Sequence, residues 1–301
     1  MANPSDARKL PKAAQFIDAS DYARPLAIWI ARLLRDTPMR AAHVTLVWTV
    51  IGLASAFCYA QGRYELALLG ALLVQIKNIL DAVDGSLARL QNRPSPIGRF
   101  LDSICDAVIA AALWAGLAAA IAHHRPAIYA IVLATTSLVL CLLQCSVYNY
   151  YYVRYRTRRG GDTTSRINEQ LTEKDKDRYR NRPRAMALLR SLVWIYTWIY
   201  QWQDVIVHRI DRWAVDPLVA SGRTGEADLL RDDHRLLTAV SVLGPGLTIL
   251  LLDVFTLAGY RHLGVMVELF LWTVALGGTL YTAAIFVGLR QAAVRLVRTE
   301  I

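Results

Sequence analysis

An all-α, polytopic membrane fold with six transmembrane helices follows from three features of the sequence. More than half of the 301 residues, 55%, are hydrophobic, and the mean hydropathy is +0.30. The apolar residues gather into six runs, 43–61, 66–88, 100–122, 127–151, 236–259 and 264–289. Each reaches the length of about 20 residues that a helix needs to cross a bilayer core. The formal net charge of +10 sits mainly between these runs.

Residues 1–42 form the first region. Positions 1–20 are polar and lack an apolar signal-type stretch, so the first span is expected to direct insertion. Between Asp21 and Arg40, Tyr22, Leu26, Ile28, Trp29, Ile30, Leu33 and Leu34 are interspersed with Arg24, Arg32 and Arg35. This pattern predicts an interfacial helix, too short and too charged to span, with its arginines toward anionic headgroups of the membrane lipids. Thr37-Pro38 interrupts it, because proline disfavours helix in the residue before it.

Residues 43–151 carry the first four spans. The connection between the second and third contains Arg93-Pro94-Ser95-Pro96, which cannot continue a helix, so these two spans are antiparallel. Residues 152–235 read as a long cytoplasmic insertion. Its first part, 154–184, is strongly polar, and removing some of 160–182 is expected to spare the chemistry. From 185 to 213 the chain turns aromatic, with Trp194, Tyr196, Trp198, Tyr200, Trp202 and Trp213. Arg190 and Asp204 leave too short an uncharged run for a seventh crossing, which predicts a helix in the plane of the headgroups. Residues 236–301 supply the last two spans and a cytoplasmic tail, with Gly244-Pro245-Gly246 kinking the fifth span.

Of the 34 Lys and Arg, all but Arg63, Lys77, Arg125 and Arg261 lie in the termini, the 89–99 connection or the 152–235 segment. Basic residues are retained on the cytoplasmic side, so both termini and the 89–99 connection are expected there. The placement of this charge suits a membrane surface, and no nucleic-acid partner is expected. Cys58, Cys105, Cys141 and Cys145 fall within predicted spans without a Cys-x-x-Cys spacing, and read as packing residues.

The chemistry is concentrated in 81–106. Asp81 and Asp84 are i and i+3, and Asp102 and Asp106 are i and i+4, so each pair projects from one helix face and the antiparallel reversal lets the pairs meet. A charge in mid-membrane costs at least about 2.5–3.5 kcal/mol by insertion scales, so four acids require neutralisation by metal ions or protons. All-oxygen ligands select Mg²⁺, Mn²⁺ or Ca²⁺ over zinc. Four carboxylates suffice for two such ions, the arrangement that clamps a phosphate during in-line displacement. Gly85 and Ala88 either let a ligand approach the helix backbone or make a small-residue helix contact. Arg89 and Arg99 are placed to neutralise phosphate. Lys77, one turn before Asp81, is expected to pair with it.

The spacing Asp81-x-x-Asp84-Gly85-x-x-Ala88-Arg89, eight residues, then Gly98-x-x-x-Asp102-x-x-x-Asp106, resembles the complete signature of the CDP-alcohol phosphotransferase family. The six-span layout with an N-terminal interfacial helix is similar too. The resemblance implies that Asp81, Asp84 and Asp102 hold Mg²⁺ or Mn²⁺, two ions in all. Asp106 lies beside the metals as a ligand and as the general base. Gly85, Ala88 and Arg89 then line a site for the cytidine diphosphate, with Asp84 close by and Gly98 leaving room. The implied reaction passes a phosphoalcohol group from a CDP-linked lipid or alcohol donor to an alcohol acceptor and expels CMP. A homodimer is implied by the resemblance alone.

One stretch departs from the family's pattern. Where members often carry Pro-Asn-x-x-Thr, this chain has Ala41-Ala42-His43-Val44-Thr45. Thr45 is retained as a nucleotide contact, while His43 reads either as a substitute for the asparagine or as an interfacial residue. Arg154 and Arg156, with Arg99, are candidates for an anionic acceptor. A transporter would not require Gly85, Ala88 and Arg89 at their spacing, and a prenyltransferase would place a second acidic motif far downstream, which this chain lacks.

Overall fold

A computed structural model describes residues 10–93, 95–161, 171 and 173–299, so Pro94 and most of the polar stretch 162–172 lie outside the described residues. All regular structure among the described residues is helical. A 3₁₀ turn at Lys12–Ala14 precedes α1 (Arg24–Leu34), α2 (Ala41–Ala60), α3 (Tyr64–Leu90), α4 (Pro96–Ala122) and α5 (Ala127–Arg158). Then come α6 (Glu173–Tyr179), α7 (Pro183–Ala220), α8 (Thr224–Arg231), α9 (His234–Ser241) and α10 (Pro245–Ala258). The chain closes with α11 (Leu263–Trp272) and α12 (Gly278–Arg298), joined through a π-helical turn at Thr273–Gly277.

Among the described residues, five helical segments are long and apolar enough to cross a membrane: α2, α3, α4, α5 and the continuous Leu263–Arg298 rod. The remaining span is broken. Helices α9 and α10 qualify only together and bend by 44°. Pro245 opens α10 and cannot donate to the preceding turn, so the expected kink becomes an interruption. The segment before α1 fills the break: Gly246 N donates to Ser20 Oγ at 2.9 Å, and Ala19 N donates to Ser241 Oγ at 2.9 Å. A side chain at Gly246 would collide with the Ser20 carbonyl. Irregular backbone at membrane depth is stable only when its polar groups are satisfied inside the protein in this way.

The first four spans pack closely because small residues face one another. At Gly116 of α4 a Cβ would run into the Ala56 carbonyl of α2, so glycine sets the approach of these helices. Helix α1 rests on α3 through the fully buried Ala27 and Ala31 and exposes Leu26, Trp29 and Leu33 on its outer side. That apolar outer face is what an interfacial helix requires.

Helix α5 runs a further two turns past its expected end, because Tyr150, Tyr151, Tyr152 and Tyr155 continue the buried stripe. Helix α7 is a single 38-residue rod that continues beyond Trp213 and carries Pro217 within it. It lies across the start of α4, with Phe100 and Tyr196 rings 5.2 Å apart, and across α5, where Ser146 Oγ donates to Gln203 Oε1 at 2.6 Å. Further along, Tyr150 and Tyr151 hydroxyls donate to the buried Asp211. Trp194 and Trp198 stay 71% and 77% exposed, so the tryptophans are a surface feature and not core.

Candidate active site

Helix α3 presents Lys77, Asp81, Asp84 and Ala88 along one face, and antiparallel α4 presents Asp102 and Asp106 against it. Carboxylate oxygens of Asp81, Asp84 and Asp102 all lie within 4.8 Å of one another. Helix α2 adds two donors to this cluster: Thr45 Oγ1 at 2.7 Å and Trp48 Nε1 at 2.8 Å both bond Asp84 Oδ2. Asp102 Oδ1 is buried with no hydrogen-bond partner among the described residues. Like charges this close cannot all be ionised and dehydrated unless a cation joins them. The oxygen-only donor set and the unsatisfied carboxylate oxygen fit a hard divalent ion.

Asp106 stands outside that trio. Its Oδ1 contacts Lys77 Nζ, which also reaches Asp81 Oδ2 at 3.4 Å. The lysine thus pairs with Asp81 and, in addition, ties α3 to α4. Its Nζ lies 4.6 Å from the centroid of the Trp48 ring, so one indole contacts both the ammonium and, through its N–H, Asp84.

Above the acids opens a cavity of about 710 Å³. Its floor includes Asp84 and Asp102, and Thr45, Gly85, Ala88 and Gly98 form part of its wall. A Cβ at Gly85 would meet only the Arg89 guanidinium, at 3.5 Å, and one at Gly98 only Ser95, at 3.6 Å. Neither glycine is needed for helix packing, so the small side chain serves the cavity. Arg40, Arg89, Arg93, Arg99 and the buried Arg156 also line it, giving it a strongly cationic wall.

Two expectations change here. Arg154 does not reach the cavity: it pairs with Asp228 of α8, which also binds Arg158 at 2.7 Å and Arg231 at 3.3 Å. Residues two apart on a helix face nearly opposite ways, so α5 can turn only Arg156 to the site. Secondly, the polar insertion is not remote, because Asp175, Arg178 and Tyr179 of α6 and Arg182 just after it line the cavity. Tyr179 is held there by its hydroxyl, 3.3 Å from Ser95 Oγ. His43 is exposed at the start of α2, where its Nδ1 accepts from Arg40 N at 3.2 Å and caps the helix.

Trp48, the contact of Lys77 with Asp106, and α6 were not anticipated. A tryptophan three residues after Thr45 is one turn along the same face, which is the only local signal for it. The other intramembrane acids lie elsewhere, Asp253 accepting from Gln75 at 2.6 Å and Glu268 bonded to Arg125 and Tyr129. No line of acids therefore leads from the cluster across the bundle among the described residues.

Comparison with known proteins bears on the family of this chain. A bifunctional IPC transferase and DIPP synthase of Rubrobacter xylanophilus is 36% identical over 85 residues, 28% of this chain and 19% of that protein. The chain thus matches about a fifth of that relative's length. No solved structure matches. The family profile named CDP-alcohol phosphatidyltransferase matches residues 37–214, more than half of the chain and all of α2 to α5. The chain belongs to the CDP-alcohol phosphatidyltransferase family.

Proposed function

We propose that the protein transfers a phosphoalcohol group from a CDP-linked donor to an acceptor hydroxyl and releases CMP, using Mg²⁺ or Mn²⁺ at the cytoplasmic face of a membrane. The observation that carries this reading is the three-carboxylate cluster at the floor of an arginine-lined cavity. Asp81, Asp84 and Asp102 would hold the cation, which when bound supplies charge stabilisation for the leaving phosphate. Thr45 and Trp48 fix the Asp84 carboxylate. Asp106 accepts the proton of the acceptor hydroxyl. The hydroxyl oxygen attacks the β-phosphorus, the bond to the bridging oxygen breaks, and CMP departs with that oxygen. Gly85, Ala88 and Gly98 leave room for the cytidine, while Arg89 neutralises phosphate charge.

A CDP-diacylglycerol-type donor and a small polar acceptor suit a site flanked by helices with exposed apolar faces, α1 and α7. The opposite assignment, a CDP-linked polar alcohol and a lipid or soluble acceptor, uses the same residues. Arg99, Arg156, Arg178 and Arg182 favour a substrate that brings negative charge beyond the donor's own diphosphate. The reading puts both termini and the site on the cytoplasmic side, where basic residues are retained, and takes a homodimer from family membership.

A pair of variants tests the roles. Asp106→Asn is expected to abolish transfer while metal-dependent CDP binding persists, and Asp81→Asn to weaken both. A fully active Asp106→Asn protein removes the base assignment.

A further inference from the structure

We propose that Lys77 takes the place of a second metal ion, so that this site holds one divalent cation where its four carboxylates alone would take two. The inference rests on the metal-dependent reading above and sharpens it.

Three of the four acids form a single compact ligand set, and the fourth is outside it. A second ion close to the first would have to be held by Asp106 together with a carboxylate shared with the first site. Asp81 is the acid placed to be shared on that side. Those are the two carboxylates that the Lys77 ammonium joins, contacting Asp106 Oδ1 and lying 3.4 Å from Asp81 Oδ2. Their shared space is already taken by a positive charge that the chain itself supplies.

The ammonium is not a surface group that can swing away. The Lys77 side chain is only 7% exposed, and the Trp48 ring closes its other side at 4.6 Å. A lysine in mid-span is costly unless it is paired, and here its pairing is complete. A divalent ion introduced between Asp81 and Asp106 would meet the repulsion of a buried ammonium at ionic-contact distance. The same indole that backs the ammonium donates to Asp84, so the fixed charge and the three-acid set are aligned by one side chain. Lys77 is therefore a positioning residue: it holds Asp106 against α3 and supplies charge, and it acts on the reaction through that carboxylate.

The test is the number of Mn²⁺ ions bound per full-length chain, purified in detergent and saturated with CDP, followed by electron paramagnetic resonance. Wild type is expected to bind one Mn²⁺ with the spectrum of an isolated ion. Lys77→Met, close in length but uncharged, is expected to bind two with a spin-coupled signal, and Lys77→Arg to bind one. Two coupled ions in the wild type overturn the role of Lys77 and leave the metal-dependent reading intact. No Mn²⁺ bound overturns both. Should Lys77→Met fail to fold, the wild-type stoichiometry decides alone.

Discussion

Asp84 is buried between helices, and the groups that make it tolerable there come from a neighbouring helix. Thr45 and Trp48 of α2 both bond the same oxygen, leaving the other free to face the cluster. Groups that orient a ligand in this way typically change metal affinity 10–100-fold when removed. Trp48→Phe removes the N–H together with part of a fully buried ring, so it is expected to weaken Mn²⁺ binding by about tenfold and to lower thermal stability as well. An unchanged Mn²⁺ titration would show that the indole N–H is dispensable. The acids themselves were legible in the sequence because i,i+3 and i,i+4 spacing is local. Trp48 was not, since 36 residues separate it from Asp84 and only the crossing of α2 over α3 brings them together. The same limit applies to Arg154 and Arg156, which share a basic flank in the sequence and diverge once the helix assigns them faces.

Helix α6 shows how a seven-residue element can matter more than its composition suggests. Its charge pattern reads as solvated surface, yet it closes one side of the cavity with Arg178 and Tyr179, and Arg182 follows directly after it. Replacing Arg178 and Arg182 together by alanine is expected to raise KM for the anionic substrate roughly threefold to tenfold with kcat nearly unchanged, as loss of uniform binding does. Equal KM values in mutant and wild type would remove α6 from the binding wall. Helix α8 has a different part, anchoring the end of α5. Burial pushes the Asp228 carboxyl up, but the guanidiniums of Arg154, Arg158 and Arg231 outweigh it and hold the group below its usual range. A depressed carboxylate stabilises the fold above its unfolded pKa of about 3.9 and loses that contribution as pH falls through the lowered value. Asp228→Asn should therefore melt earlier than wild type at pH 7 and at pH 5, with the gap closing only below about pH 4. A gap already gone at pH 5 would contradict this. The break between α9 and α10 was legible as a kink from Gly244-Pro245-Gly246, but its filling by Ser20 was not, because that contact spans 226 residues.

The molecule as a whole has two unlike ends. Connections that carry only Arg63, Arg125 and Arg261 converge at one end, where the Tyr64 and Tyr260 rings lie 5.3 Å apart and Arg125 Nε bonds Glu268 at 3.1 Å. The acidic cluster, the arginine-lined cavity, α6 and α7 belong to the other end, which holds nearly all of the basic residues. Hydropathy and charge distribution made this division readable before any coordinates, since both report on solvent and neither depends on helix register. What they could not supply was the course of α7, whose aromatic residues split between contacts with the bundle and exposure. The account's central claim is phosphoalcohol transfer from a CDP-linked donor at the acidic cluster. Its most direct test is CMP release by purified protein with Mg²⁺ or Mn²⁺, offered CDP-diacylglycerol and CDP-linked polar alcohols against a panel of acceptors, with Asp106→Asn as control. The expected result is metal-dependent CMP release with one donor class, abolished in the variant. No CMP from any donor and acceptor pair, together with no metal-dependent binding of CDP, would contradict it.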